Sequence, residues 1–273
     1  MRRTALACTI LLAFAAGCSA TDEPIDVGIK NDQYGLAFYE HDPTAPFGFE
    51  ITMADALTEE LGRAPRHIGV ASHVREEWLT AGRVDLMVAT MSMAPERLEP
   101  GEFDMVGPYL RTHAALLAKT GYTGETDPGR IPVYKICTLR DSTTESYLTT
   151  IHDGAGPRTE ASVTECLDRL KSGAVDVVAT DEIILRGVLL REPGLFTIVN
   201  EGFGAAEEYG IGISGSSGID CRQVERWLWT TCSATGWTTS GAASRAASAT
   251  STSTGCRRPT STTSPPADRP ARS

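Results

Sequence analysis

Residues 79–90 read Leu-Thr-Ala-Gly-Arg-Val-Asp-Leu-Met-Val-Ala-Thr, and 170–180 read Leu-Lys-Ser-Gly-Ala-Val-Asp-Val-Val-Ala-Thr, a return after 91 residues with one residue dropped. Each copy has the same physical plan. An amphipathic helix comes first, with Val163, Cys166, Leu167 and Leu170 at i, i+3, i+4, i+7. Glycine ends it, Gly82 in one copy and Gly173 in the other. A Val-rich run comes next, too apolar for a half-exposed strand and suited to a buried parallel one. Similar helix–strand units predict two similar lobes with a cleft between them. In open α/β sheets, ligands sit beyond the carboxyl ends of the strands. Here those ends carry Thr90, Ser92, Thr180 and Asp181, all polar.

The rest of the body fits an α/β alternation. Residues 26–30 predict a strand, 47–51 an extended segment, and 53–61 a helix with Met53, Leu57 and Leu61 four apart and Gly62 as its stop. Residues 131–139 predict a strand and 182–190 a helix.

The ends of the chain differ from this body. Arg2 and Arg3 precede a 12-residue apolar stretch over 5–16, too short to span a bilayer, and Ala15-Ala16-Gly17 leads into Cys18. That is the pattern of a secretory signal, and it resembles a bacterial lipobox. Residues 1–17 then form the signal, and Cys18 carries the lipid at the head of a short tether, 18–24. An ordinary signal cleaved near Ala20 is the alternative. Residues 230–273 contain no Ile, Leu, Val, Met, Phe or Tyr. Such a segment buries too little apolar area to offset its ordering entropy, which predicts disorder. Its composition fits either a flexible extension or translation in a shifted reading frame.

Charge narrows the function. Residues 18–229 hold 18 Lys+Arg against 34 Asp+Glu. So acidic a body lacks the basic footprint that nucleic acid or an anionic lipid surface requires. No apolar run reaches the length of a transmembrane helix. The five histidines are scattered, no Cys/His spacing matches a zinc site, and neither a nucleophile elbow nor a phosphate-binding glycine loop is present. No cofactor is expected. Cys137 and Cys166 lie in the body of a chain addressed to an oxidising compartment, which makes them disulfide candidates, with two buried free thiols as the alternative.

Four stretches carry a more specific signal: Val-Gly-Ile-Lys at 27–30, Phe-Gly-Phe-Glu at 47–50, residues 84–109 and residues 175–187. The most specific is Ala-Thr-Met-Ser-Met-Ala-Pro-Glu-Arg at 89–97, followed by Phe103-Asp104 and Gly107-Pro108-Tyr109. The ordered set resembles the bacterial extracellular solute-binding proteins of family 3, which deliver polar amino acids to ABC importers. The resemblance covers roughly 25–228 and implies a two-lobed, type II periplasmic-binding-protein-like fold hinged by two crossover strands. Lobe 1 would span 25–112 and lobe 2 113–204, with 205–229 returning to lobe 1. It further implies a monomer that performs no chemistry, anchored by its lipid outside the cytoplasmic membrane and partnered by a permease.

The resemblance also implies a ligand set. A free amino acid presents a carboxylate and an ammonium, and burying either unpaired costs several kcal/mol, so a binder needs a fixed cation and a fixed anion facing one cleft. Arg97 is the candidate for the α-carboxylate, because a guanidinium gives a bidentate contact; a surface pair with Glu96 or Glu99 is the bland alternative. Ser92 would add a hydroxyl and an N–H, and the Thr90 carbonyl would accept from the ammonium. Asp181 would face the ammonium from the second lobe, unless it only caps the helix starting near Glu182. The segment Ser-His-Val-Arg-Glu at 72–76 resembles one that, in glutamate- and aspartate-type members, places an arginine on the ligand's side-chain carboxylate. Arg75 therefore implies an acidic ligand. Ser142 and Thr143 would donate from the second lobe's loop, where Asp141 stands in place of the usual glycine, and Asp32 is a further candidate for the ammonium. In the glutamate-type subgroup, a cysteine at the place of Cys137 pairs with one on the helix that holds Cys166. Two other readings compete with a transport receptor: an enzyme of the cyclohexadienyl-dehydratase type on the same scaffold, with Asp181 or Glu182 as its acid, and a ligand sensor.

Overall fold

The computed structural model describes residues 23–40, 42 and 44–235, the last four by backbone only. The signal, Cys18 and residues 236–273 lie outside the described residues. Val- and Ile-rich runs bounded by glycine and turn residues form the strands. Strand β1 (Ile25–Ile29) is buried at every position, between β4 (Pro65–Gly69) and β5 (Leu86–Ser92), parallel to both. Strand β7 (Ile136–Leu139) is likewise buried, between β8 (Arg158–Glu160) and β9 (Val177–Asp181), again parallel to both. These are the two expected lobes, and β5 and β9 are the echoed strands.

Two long strands join them. β6 (Phe103–Lys119) and β10 (Phe196–Ser214) run antiparallel through both lobes, giving the order β4-β1-β5-β10-β6-β9-β7-β8. In lobe 1, β10 pairs with β5; in lobe 2, β6 pairs with β9. The β6–β10 register shifts repeatedly between Ile198 and Ile211, the stretch that passes from lobe to lobe. Interrupted pairing is where a strand bends most readily, so these crossovers form the hinge.

Helices cover both faces of each half-sheet. In lobe 1, α1 (Phe49–Glu60) and α7 (Cys221–Thr235) pack Leu57, Val224 and Leu228 against Val27, Val88 and Ile211. On the opposite face, α2 (Arg75–Thr80) supplies Leu79 to Met87 and Met91. In lobe 2, α5 (Val163–Ser172) and α6 (Glu182–Arg191) cover one face, and Leu148 of α4 (Thr143–Ile151) lies on the other. Gly173 ends α5 in the left-handed conformation that its position requires, at φ 79°. Cys137 of β7 is bonded to Cys166 of α5 with Cα atoms 5.6 Å apart, as the resemblance implies.

Three local expectations change. Residues 47–51 are not an extended segment: Gly48, at φ 130°, turns the chain into α1, which begins at Phe49 so that Glu50 faces inward. The strand expected over 131–139 is confined to Ile136–Leu139, because Pro132 opens a single 3₁₀ turn over Val133–Lys135. Helix α7 continues to Thr235, beyond the point where composition marks the tail; the Thr230 hydroxyl bonds back to the carbonyls of Arg226 and Trp227 within that helix. A short hairpin, β2 (Asp32–Gln33) and β3 (Ala37–Phe38), rises from the end of β1 toward lobe 2.

Candidate functional site

The carboxyl end of β5 and the carboxyl end of β9 meet at the crossovers. Tyr209 of β10 lies opposite Ser92 of β5, and Ala114 of β6 lies opposite Asp181 of β9. Around this junction the chain buries charges of both signs, which happens only where they find partners or where function retains them. Arg75, Arg97, Lys30, Glu50 and Asp181 are each less than a tenth exposed.

Arg75 opens α2 with its side chain turned inward. Its Nε donates to the Ser72 carbonyl (3.0 Å) and its Nη1 to the carbonyls of Ala89 (2.9 Å) and Thr90 (2.7 Å). Burial lowers its pKa to about 10, and the neighbouring charge of Arg97 acts the same way, while Asp181 opposes them. Arg75 is therefore an electrostatic neighbour of both Arg97 and the second lobe's carboxylate. Arg97 lies on the short helix α3 (Pro95–Leu98), which Pro95 starts. Its Nη1 donates to the Ser92 carbonyl (3.0 Å) and its Nε pairs with Glu76 of α2 (2.8 Å). The ion-pair partner is Glu76, across the fold, in place of Glu96 or Glu99. Both arginines are thus anchored through Nε and Nη1, which leaves Nη2 of each uncommitted by these bonds. The expected bidentate fork of Arg97 is half occupied.

Asp181 is the N-cap residue of α6 by position, but its side chain makes no cap. One oxygen accepts from the Tyr209 hydroxyl; Oδ1 is buried with no hydrogen-bond partner. Burial raises its pKa from the usual 3.8 to about 7, against the opposing pull of Tyr209 and Arg75. A carboxylate so placed is costly until a donor reaches its bare oxygen.

Thr90 is the pivot of lobe 1's side. It holds φ 47°, a left-handed conformation that a β-branched residue adopts at a cost of about 1–3 kcal/mol. Glu50 holds it there: Oε1 accepts from the Thr90 N–H (2.7 Å) and from the Tyr109 hydroxyl, and Oε2 is buried without a partner. Burial pushes the Glu50 carboxyl up. Lys30, at the end of β1, donates to the Ser72 hydroxyl (3.3 Å) and stands 4.0 Å from Asp32. Burial lowers its pKa.

Of the residues named from sequence, Arg75, Arg97, Thr90, Ser92 and Asp181 come together. Asp32 lies beside the group through Lys30, and its Oδ2 accepts from the backbone N–H of Val163, across the cleft at the start of α5 (2.5 Å). Ser142 caps α4, accepting from the Glu145 N–H (3.1 Å), and Asp141 adopts φ 54°, the left-handed turn its aspartate tolerates in glycine's place. Among the described residues, neither Ser142 nor Thr143 bonds to the Arg75–Asp181 group. Lys30, Glu50 and Tyr109 stand in the family-like stretches of the sequence but carry no expected role at the site, and neither does Tyr209. The Lys30 signal was readable, as a lysine ending a strand that is otherwise apolar. Among the described residues no three metal-binding side chains gather into a metal site, and no helix is long and apolar enough to cross a membrane.

Residues 25–208 match the model of the bacterial extracellular solute-binding proteins, family 3. The glutamate-binding protein GluB of Corynebacterium efficiens is 30% identical over 209 residues, 70% of this chain and 68% of that one. An ancestral arginine-binding protein bound to glutamine superposes with a TM-score of 0.70 at 23% identity, over 78% of this chain and 93% of its own. The ancestral amino-acid-binding protein AncCDT-1, a precursor of cyclohexadienyl dehydratase, gives a TM-score of 0.66 at 22% identity, over 78% and 91%. With the family model spanning most of its length and a two-lobed body hinged on two crossover strands, the chain belongs to the bacterial extracellular solute-binding proteins of family 3.

Proposed function

We propose that this chain binds a free acidic amino acid, glutamate or aspartate, between its lobes and delivers it to the membrane permease of an ABC importer, while tethered outside the cytoplasmic membrane by a lipid on Cys18. One observation carries the reading: the buried Arg75 is an electrostatic neighbour of both Arg97 and Asp181, and Oδ1 of Asp181 is buried without a hydrogen-bond partner. Two cations and an anion complement a dicarboxylate that carries one ammonium.

In this reading Arg97 and the Ser92 hydroxyl take the α-carboxylate. Arg75 takes the side-chain carboxylate, with Lys30 next to it. Asp181 takes the ammonium, whose arrival supplies the donor that Oδ1 lacks. The Thr90 carbonyl accepts from Arg75 and retains a second lone pair for the ligand. Ser142, Thr143 and Asp32 complete the set, Ser142 through its remaining hydroxyl proton. The protein acts as a monomer and performs no chemistry. The glutamate-binding relative supports the ligand class. A thermal-shift screen of the twenty amino acids tests it, because a ligand stabilises by RT ln(1 + [L]/Kd). Glutamate or aspartate should give the largest shift; a flat profile, or arginine in first place, rejects the assignment.

A second reading has one observation in its favour. A carboxyl titrating at about 7 in a buried cleft is suited to general-acid work, and the AncCDT-1 likeness shows that the fold is shared with an enzyme precursor. Turnover of prephenate by the purified chain, lost in Asp181→Asn, would establish that reading in place of transport.

A further inference from the structure

The β2–β3 hairpin belongs to lobe 1, yet much of its surface lies against lobe 2. Leu36, at its turn, packs into the lobe 2 core with Leu167, Leu185 and Val188. Next along the edge, the Tyr34 carbonyl sits so close to Gly187 of α6 that a Cβ on residue 187 would collide with it. Beyond that, Arg191 at the end of α6 stands over the rings of Tyr34 (5.9 Å) and Phe38 (5.4 Å) and pairs with Glu40 (2.8 Å). The two rings are fixed edge-to-face against each other and against Phe47. None of these contacts involves Arg75, Arg97 or Asp181, and each joins one lobe to the other.

We propose that Arg191 and Gly187 form an interlobe clasp that holds the cleft shut, and so set ligand affinity and residence time without touching the ligand. Opening the lobes has to strip Arg191 from its two rings and its carboxylate, and lift Leu36 out of an apolar pocket. Gly187 acts through the side chain it lacks: closure brings the Tyr34 carbonyl onto α6, and only glycine leaves space for it. A glycine inside a helix weakens that helix relative to alanine, so its presence in α6 points to a demand made by the closed state. A clasp that forms after the ligand is seated acts chiefly on dissociation.

The consequence for the ligand rests on the amino-acid reading above, and the test separates the two. Glutamate binding is followed by calorimetry and stopped-flow on the full chain, Arg191→Ala and Gly187→Ala, with the radius of gyration measured by small-angle scattering at zero and saturating glutamate. Arg191 is a surface side chain, so its variant leaves folding intact, and a cooperative melt of ligand-free Gly187→Ala checks that its lobes still fold. The clasp predicts about tenfold weaker binding for Arg191→Ala, with the change in the dissociation rate. It also predicts a Gly187→Ala chain whose radius fails to contract at glutamate concentrations that close the wild type. Wild-type binding of glutamate with both variants within twofold in affinity overturns the clasp and leaves the ligand reading standing. Should no amino acid bind the wild type, the ligand reading fails. The ligand-free radii then decide: a larger radius for Gly187→Ala supports the clasp, and equal radii overturn it.

Discussion

The two lobes use one motif for opposite purposes. In lobe 2 the echoed unit is locally self-sufficient. Helix α5 opens with a complete capping box from Ser162 and Glu165, closes on a left-handed Gly173, and is cross-linked to β7 through Cys137–Cys166. In lobe 1 the matching helix, α2, has six residues and no side-chain cap. The strand and turn C-terminal to it are held by distant partners: Glu50 on Thr90, Arg75 on Ala89 and Thr90, Glu76 on Arg97. Lobe 1 buries charge that its own structure leaves partly unpaired; lobe 2 presents a rigid jaw bearing one carboxylate. Polar groups left unsatisfied in a fold mark where it expects something else to bind.

The largest effect should come from lobe 1. Arg97→Ala should weaken glutamate binding by about thirtyfold or more, because truncating one partner of a buried pair costs about 2–5 kcal/mol; calorimetric affinity within tenfold of wild type would remove Arg97 from the ligand's path. Next comes the cross-link in lobe 2. The chain-entropy model values a loop of this size at about 3–4 kcal/mol. Cys137→Ala with Cys166→Ala should therefore lower the melting temperature sharply and release amide protection first in α5, β7 and β8, while lobe 1 keeps its protection. Loss spread evenly through both lobes would mean that they unfold as one unit.

Asp181 gives a smaller effect with a definite sign. Its carboxyl is raised from 3.8 to about 7 in the folded chain. Between those values the folded state holds a proton that the unfolded state has released, so ligand-free stability falls as pH climbs from about 4 to about 7 and levels off above. Asp181→Asn removes this dependence. At pH 8 the ligand-free variant should melt above the wild type while losing its ligand, and a variant that melts lower there would contradict the placement of a costly, bare carboxylate. The smallest effect is Ser162→Ala, about 1 kcal/mol by denaturant melt, with glutamate affinity unchanged.

How much of this was legible in the sequence also differs between the regions. The echo announced both lobes because it is local: a helix, a glycine and a buried strand within a dozen or so residues. The start of α1 was misread because Phe47-Gly48-Phe49 looks extended until Gly48 takes a positive φ. Arg75, Arg97 and Asp181 were recognisable from the family's order of residues, and their convergence comes from strands that end at one junction. Tyr109 and Tyr209 were not. They reach the site only because β6 and β10 pair with each other and with the echoed strands over long separations, so that Tyr209 arrives opposite Ser92. The clasp was invisible for the same reason, since Tyr34 and Arg191 meet only when the lobes do.

At the centre stands an amino acid's ammonium docked on an Asp181 that is otherwise short of a donor. The most direct check is the wild-type dissociation constant for L-glutamate at pH 8 and pH 6. If only the ionised carboxylate binds and its free pKa is about 7, affinity should be about tenfold weaker at pH 6, and Asp181→Asn should bind glutamate at neither pH. Glutamate affinity that is the same at both pH values, or no binding at either, would contradict that docking.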